Sequence, residues 1–279
     1  MNQMQDYKLS DIYIYPIKSL GSIRVKNIKT TEKGLEFDRR WMLINQDRQF
    51  LTIRRYPEFL FFKMSLLNSG FRIRYQEKIL DVPIKIDEGE KVRCEIWNDE
   101  VEAIKASDRI NQWFSTILGI DCSLVYMPEE TKRNIKPLWG GTSVSFADGY
   151  PLLIASEASL SNLNSKLKNP VGMIRFRPNL VFKGVDPYDE FNWSKFKINS
   201  TQFQGLKPCE RCIVTTFDPK TGEKGREPLL TLSKQKINNK IVFGQHAKSV
   251  DQGTIGVGDV VKVLSYKSNP YDSISDVSV

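Results

Sequence analysis

The stretch Asp-Ile-Tyr-Ile-Tyr-Pro-Ile, from Asp11 to Ile17, decides the fold class of this chain. Its first two isoleucines fall on one face and its tyrosines on the other, which is the alternation of a β-strand. Similar short alternating or apolar runs occur at 23–28, 40–44, 50–53, 71–75, 94–97 and 101–104, and several are joined by turn-forming residues. Many short strands must close or stack to hide their edges, so the pattern predicts a barrel or a sandwich.

Two segments depart from the strand pattern and predict helices. The first runs from Asp108 to Leu118, with Ser107 as its N-cap and Gly119 at its end, and we expect it to cover or plug a barrel. The second follows Ser156 and is predicted from Glu157 to Leu167. Further strands are predicted at 122–127, 174–182, 212–217 and 260–264, whereas 128–141 is predicted to be irregular. The chain is therefore expected to be mainly β with a few helices.

The composition indicates a folded protein long enough for two domains. The chain has 279 residues, of which 40% are hydrophobic. No window approaches the roughly 20 consecutive apolar residues of a membrane-spanning helix, and the first residues lack the pattern of a secretory signal. Four cysteines are too few for a disulfide scaffold at this length. We therefore expect a cytoplasmic protein with reduced thiols and no membrane association.

The net charge of +8 is compatible with three kinds of partner: nucleic acid, an anionic cofactor or an acidic protein. The basic residues are dispersed and form no basic tail. We therefore expect no nucleic-acid function, and a generally basic, solvated surface remains the simplest interpretation.

His246 is the only histidine, which excludes zinc sites built from several histidines. A nucleophile paired with His246 would be possible, but no Gly-x-Ser-x-Gly elbow and no glycine-rich phosphate loop accompany it. A structural role is the more common fate of a single histidine.

The stretch Pro-Cys-Glu-Arg-Cys-Ile-Val-Thr-Thr-Phe-Asp-Pro-Lys-Thr-Gly, from Pro208 to Gly222, is the most informative for chemistry. A thioredoxin-type pair would open a helix, yet the β-branched residues after Cys212 favour a strand. A zinc ribbon would need a second closely spaced pair, which Cys94 and Cys122 do not form. Two buried structural cysteines beside a turn would explain the stretch equally well.

This stretch closely resembles the cysteine motif of the MOSC family, and within it that of the amidoxime-reducing component and its bacterial relatives. Further similarity lies in Tyr15–Ser19, Gly34–Trp41, Arg175–Asn179 and the turn that contains Asp259. The resemblance implies a β-barrel-like N-terminal domain at 7–122, a MOSC β-barrel domain at 123–267 and a polar tail at 268–279.

The resemblance also implies a molybdenum cofactor, a molybdopterin, whose metal is bound by the thiolate of Cys212. The implied cofactor-binding residues are Lys18, Ser19, Arg39, Arg177, Asn179, Arg211 and Cys212. Arginine and lysine suit the phosphate of such a cofactor, and a soft thiolate suits its metal. The alternative for each cation is a solvated surface charge.

The implied activity is the reduction of N-hydroxylated small molecules such as amidoximes, hydroxylamines and N-hydroxylated nucleobases. Because the chain shows no iron-sulfur domain and no N-terminal anchor of the kind some relatives carry, we expect an external flavin or iron-sulfur protein to donate electrons. Two alternatives stay open: a non-catalytic carrier of the cofactor or of a persulfide on Cys212, and an interaction module without metal. Glu210, between the two cysteines, departs from the small residue expected there.

Overall fold

A computed structural model describes residues 7–139 and 141–271, so the last eight positions of the predicted tail and Gly140 of the predicted irregular stretch lie outside the described residues. The strands are β1 (Tyr7–Ile14), β2 (Ile23–Val25), β3 (Asn27–Thr31), β4 (Gly34–Leu35), β5 (Trp41–Asn45), β6 (Lys63–Leu67), β7 (Gly70–Tyr75), β8 (Lys78–Pro83), β9 (Lys91–Ile96), β10 (Asp99–Lys105), β11 (Cys122–Tyr126), β12 (Leu152–Ser156), β13 (Leu180–Lys183), β14 (Trp193–Ile198), β15 (Thr201–Glu210), β16 (Val242–Ser249), β17 (Thr254–Gly256) and β18 (Val260–Tyr266). The α-helices are α1 (Asp108–Leu118), α2 (Glu157–Asn164) and α3 (Leu229–Leu232). The prediction of a mainly β chain with few helices is confirmed.

The largest sheet closes into a seven-stranded barrel. Its strands follow the order β13-β12-β16-β15-β14-β18-β1, and β13 pairs back to β1, while β2 extends the sheet from β1. Closure removes the free strand edges that an open sheet would expose. The division into 7–122 and 123–267 stays a prediction, and the first strands of the earlier segment lie in the sheet formed mostly by the later one.

Large aromatic side chains fill the interior of this barrel. Trp193, Phe196 and Phe203 are fully buried, and Phe182 packs with its ring centroid 5.1 Å from that of Trp193. Burying each such side chain stabilises the fold by about 1.5 to 3 kcal/mol. The barrel is therefore a rigid support for the loops at its ends.

Three smaller sheets contain the remaining strands, which all come from the first half of the chain except β17, and α1 packs with them. Their strand orders are β5-β11-β10-β9, β17-β3-β4 and β6-β7-β8. Helix α1 has the predicted bounds, and Gly119 ends it in the left-handed conformation, with φ 66°. Its buried Phe114 packs against Phe62, which places α1 as a cover over this part of the core.

Two predicted strands next to the chemical motifs are wrong. Residues 174–182 begin as the 3₁₀ turn Met173–Phe176, and β13 starts only after Arg177, whose left-handed φ of 55° breaks any extended run. Residues 213–216 also form a 3₁₀ turn, because the hydroxyls of Thr215 and Thr216 donate to backbone carbonyls three residues earlier. Local side-chain hydrogen bonds override the strand preference of β-branched residues there.

The remaining differences are smaller. Residues 50–53 form no strand and contribute only a bridge between Phe50 and Ile44. The run predicted at 23–28 is divided into β2 and β3, and α2 ends at Asn164, three residues before Leu167. The predicted irregular stretch contains the short 3₁₀ turn Pro137–Trp139.

Candidate functional site

All seven side chains that the sequence predicts to bind a cofactor line a single cleft. They are Lys18, Ser19, Arg39, Arg177, Asn179, Arg211 and Cys212. The cleft has a volume of about 830 Å³, including space open to solvent. It lies where the segments after β1, before β13 and after β15 meet, so the barrel positions residues from distant parts of the chain around it.

Cys212 lies two residues after the end of β15 and is the N-cap of the 3₁₀ turn Ile213–Thr216, with an extended backbone, φ −108° and ψ 176°. The backbone amide and the hydroxyl of Thr215 both donate to its carbonyl, at 3.2 and 3.1 Å. Of the four free cysteines, the other three are buried and Cys212 is half-buried. Cys209 also lines the cleft but is buried, so Cys212 is the more exposed of the two cysteines that a ligand there would meet.

The turn Asp218–Gly222 holds the second half of the cysteine motif in place. The Asp218 carboxylate accepts hydrogen bonds from the amide of Lys220 at 2.8 Å and from the guanidinium of Arg175 at 2.8 Å. These donors lower the pKa of Asp218, the Lys220 amide most of all. The aspartate of the motif is thus a structural residue that ties the turn to the segment before β13.

Arg39 and Arg177 both lie against the ring of Tyr15, with guanidinium carbons 4.3 and 4.2 Å from its centroid. Both residues adopt left-handed backbone conformations, which aim their side chains into the cleft region. Arg39 pairs with the buried Asp38 at 2.6 Å. Within the described residues, the Arg177 guanidinium forms no ion pair and donates no hydrogen bond, and burial lowers its pKa to about 10. An anion in the cleft would supply the missing partner.

Asn179 lies at the cleft, but both ends of its side-chain amide are already hydrogen-bonded to other groups of the protein. Its Oδ1 accepts from Arg39 Nη1 at 3.0 Å and from the Leu153 amide at 3.1 Å. Its Nδ2 donates to the Tyr13 carbonyl at 3.1 Å. The geometry therefore makes Asn179 a positioning residue for Arg39.

Lys18 and Ser19 form the end of the cleft contributed by the segment after β1. The buried ammonium of Lys18 donates to the Phe146 carbonyl at 2.9 Å and to the Asp148 carboxylate, and burial lowers its pKa. Ser19 has a left-handed φ of 73°, and its hydroxyl makes no hydrogen bond to the described residues. Ser19 thus offers a free donor and acceptor to a ligand.

Arg211 is held beside the thiols. Its Nη1 donates to Cys209 Sγ at 2.8 Å and its Nη2 to the Phe176 carbonyl at 2.9 Å, while its buried Nε has no partner in the described part of the chain. Burial raises the pKa of the Cys209 thiol, so Cys209 serves as a neutral acceptor for Arg211.

The sequence did not assign Trp97, Asp148 or His246 to the cleft, although His246 was singled out as the only histidine. Trp97 has a left-handed φ of 57° and donates from Nε1 to Asp148 at 3.3 Å. His246 stacks on Tyr150 with ring centroids 4.3 Å apart, and burial followed by the charge of Arg211 lowers its pKa to about 3. The Asn98-Asp99 turn after Trp97 was the available signal for an exposed position, and the signal for His246 was that it is the only histidine; Asp148 carried none.

In the described ranges 7–139 and 141–271, no group of three or more His, Cys, Asp or Glu side chains could hold a metal ion. The cleft instead combines the partly exposed Cys212 thiol with five cationic side chains and one carboxylate, that of Asp148; the cations are Lys18, Arg39, Arg54, Arg177 and Arg211. Its chemistry thus fits an anionic group that brings most of its own metal ligands better than a bare metal ion.

Comparison with known families gives two matches along the chain. Residues 6–121 match the MOSC N-terminal beta barrel domain, and residues 141–262 match the MOSC domain. The chain is 32% identical to mitochondrial amidoxime-reducing component 1 of Homo sapiens, over 92% of this chain and 82% of the relative. The chain belongs to the MOSC family. This confirms the resemblance seen in the cysteine motif.

Other relatives of this MOSC protein carry two different names. Mitochondrial amidoxime-reducing component 1 of Mus musculus is 31% identical over 92% of this chain and 82% of the relative. Molybdenum cofactor sulfurase of Oryza sativa subsp. japonica is 31% identical over 86% of this chain and 32% of the relative. No helix in the described part of the MOSC protein has the length and apolarity to cross a membrane.

Both matched regions contribute to the cleft. Lys18, Ser19 and Arg39 come from the MOSC N-terminal region. Arg177, Asn179, Arg211 and Cys212 come from the MOSC region. Neither region by itself forms the complete cleft.

Proposed function

We propose that this MOSC protein binds a molybdenum cofactor in the cleft, through Cys212, and reduces N-hydroxylated compounds such as amidoximes, hydroxylamines and N-hydroxylated nucleobases. The observation that carries the proposal is the meeting of the half-buried Cys212 thiol with several cations, of which Arg177 makes no ion pair to the described residues. Because a half-buried guanidinium without a partner has lost part of its hydration, an anionic ligand would stabilise the cleft.

The residues present fit such a cofactor. The Cys212 thiolate would be the protein's ligand to the metal, and Arg39 and Arg177 would bind the phosphate, Arg177 with a free guanidinium fork. Ser19 and Arg211 offer the free hydroxyl and the orphan Nε to polar edges of the ligand. When bound, the cofactor would supply a two-electron redox couple with an exchangeable oxygen position.

The reaction would cleave one N–O bond. An amidoxime, two electrons and two protons give an amidine and water, and we propose an external flavin or iron-sulfur protein as the electron source. His246 is neutral at physiological pH because of its lowered pKa, so it is a poor proton donor, and the protons would come from solvent through the open cleft. The chain's own part is to hold the cofactor and keep the substrate position open.

The names of the relatives support two candidate functions. The amidoxime-reducing relatives, which match over most of their length, support the reductase. The cofactor sulfurase relative and the reachable Cys212 thiol support the alternative of a carrier for the cofactor or for a persulfide.

The two candidates differ in an assay that needs no partner protein. The protein is purified from a host that makes the cofactor, its molybdenum is measured, and it is chemically reduced in the presence of benzamidoxime. The reductase requires about one molybdenum per chain and formation of benzamidine above the rates of cofactor-free protein and Cys212→Ser. Metal-loaded protein without turnover on several N-hydroxylated substrates would refute it, and bound sulfane sulfur without metal would favour the carrier.

A further inference from the structure

A second cavity, of about 750 Å³ including space open to solvent, lies next to the Cys212 cleft. Its apolar wall consists of Leu60, Phe62, Met64, Ile174, Val214 and Phe217. The cleft and the cavity share two wall residues, Arg177 and Val214. A molecule placed at Cys212 would therefore lie beside an apolar space that the charged cleft does not provide.

The turn that carries the thiol also forms a wall of this cavity. Val214 belongs to the 3₁₀ turn that begins after Cys212, and Phe217 ends that turn. The opposite wall comes from the 3₁₀ turn Pro57–Phe61 and from β6. The position of the cavity relative to the thiol is therefore fixed by a single short segment.

The cavity leaves apolar surface uncovered. Leu60, Met64 and Val214 are only partly buried, although they pack against the hydrophobic core. Of the cations at its margin, Arg175 is paired with Asp218 at 2.8 Å. An uncharged apolar group would remove this surface from water, and Arg177, which is also a wall residue of the Cys212 cleft, would pair with the anionic cofactor of the proposed function.

Close backbone and ring contacts hold the two walls together. A Cβ on Gly222 would lie 2.9 Å from Phe61 Cζ, and a Cβ on Gly21 would lie 2.3 Å from the Phe62 carbonyl oxygen. Both positions require glycine for this approach. The cavity is thus preformed, which lowers the entropic cost of filling it.

We propose that this cavity binds the apolar, preferably aromatic, part of an N-hydroxylated substrate whose N–OH group lies in the Cys212 cleft. The inference rests on the proposed reductase function and adds that compounds with a hydrophobic group next to the N–OH are bound more tightly than compounds without one. Small polar substrates would react without using the cavity.

Filling the cavity tests this assignment. Met64→Trp and Leu60→Trp reduce its volume from two different elements, and Leu66→Trp places the same side chain on the same strand outside it. Steady-state kinetics are compared for benzamidoxime and for acetamidoxime, with molybdenum content measured in each protein. We expect KM for benzamidoxime to rise about tenfold in both filled variants, since an aromatic ring loses its burial. KM for acetamidoxime, molybdenum content and the Leu66→Trp variant should stay close to wild type.

Binding is measured as well, by calorimetric titration of benzamidoxime into metal-loaded protein without reductant. If no protein turns over any substrate, the reductase fails, yet loss of benzamidoxime binding in the filled variants alone would still support the cavity. Equal effects on both substrates, no effect on either, or unchanged benzamidoxime binding would overturn the assignment. Loss of molybdenum from both filled variants would also overturn it, because the cavity would then hold the cofactor itself.

Discussion

Asn179 Oδ1 accepts a hydrogen bond from Arg39 Nη1 at 3.0 Å, which joins residues 140 positions apart in the chain. The same oxygen accepts from the Leu153 amide, so one side chain connects the strand β12, the segment before β13 and the arginine of the N-terminal region. The cleft is therefore assembled by internal hydrogen bonds and does not need a ligand to bring its parts together.

Asn179→Ala should lower the free energy of unfolding by about 2 to 4 kcal/mol, because the Leu153 amide and the Tyr13 carbonyl lose buried partners. Urea denaturation followed by circular dichroism measures the change. Asn134→Ala, at an exposed position, is the matched control. Similar stability for the two variants would contradict the positioning role.

Cys212→Ser should abolish molybdenum retention, whereas Cys209→Ser should keep most of it, because Cys212 is half-buried while the Cys209 thiol is buried and bonded to Arg211. Metal content is measured by elemental analysis of protein whose fold is checked by circular dichroism. Equal loss in both folded variants would indicate a shared metal site or a disulfide.

Arg39→Ala and Arg177→Ala should each weaken cofactor retention by about 1.5 to 3 kcal/mol, the usual contribution of a charge-assisted hydrogen bond. Arg24→Ala removes an exposed guanidinium outside the cleft and serves as the control. Retention is measured as the molybdenum remaining after dialysis. If the molybdenum content of both cleft variants equals that of the wild type, the two arginines do not bind the cofactor.

Stability should depend on pH through Glu190, which is fully buried and accepts hydrogen bonds from Ser156 and Ser159. Burial raises the pKa of its carboxyl to about 7, above the ordinary value of 4.5. The folded state therefore holds a proton that the unfolded chain releases, so the stabilising contribution is complete below pH 4.5 and is lost as the pH rises through 7. Between pH 4.5 and 7, the free energy of unfolding of the wild type should therefore fall by about 3 kcal/mol relative to that of Glu190→Gln. If the difference in free energy of unfolding between wild type and Glu190→Gln stays constant or increases from pH 4.5 to 7, the pKa of Glu190 is not raised in the folded protein.

The sequence predicted the β-rich fold and named seven residues that the structure brings to the cleft. It did not predict the backbone conformation of the motifs that carry those residues. Thr215 and Thr216 have strand-forming side chains, yet their hydroxyls stabilise a 3₁₀ turn. The segment 174–182 has the residue pattern of one strand, and the left-handed Arg177 interrupts it before β13. Such conformations depend on contacts that propensity does not contain.

By itself, the sequence determined the alternating strands, the helix from Asp108 to Leu118 and the cysteine motif with its accompanying cations, because periodicity and motif spacing are local properties. Only the tertiary structure decided that β1 closes a barrel with strands more than 150 residues later in the chain. It also decided that Asn179 supports Arg39 while Arg177 makes no ion pair to the described residues, and that an apolar cavity lies next to the Cys212 cleft. These features depend on which distant side chains meet, and that is set by the packing of the closed barrel, since no local preference encodes a contact between residues so far apart.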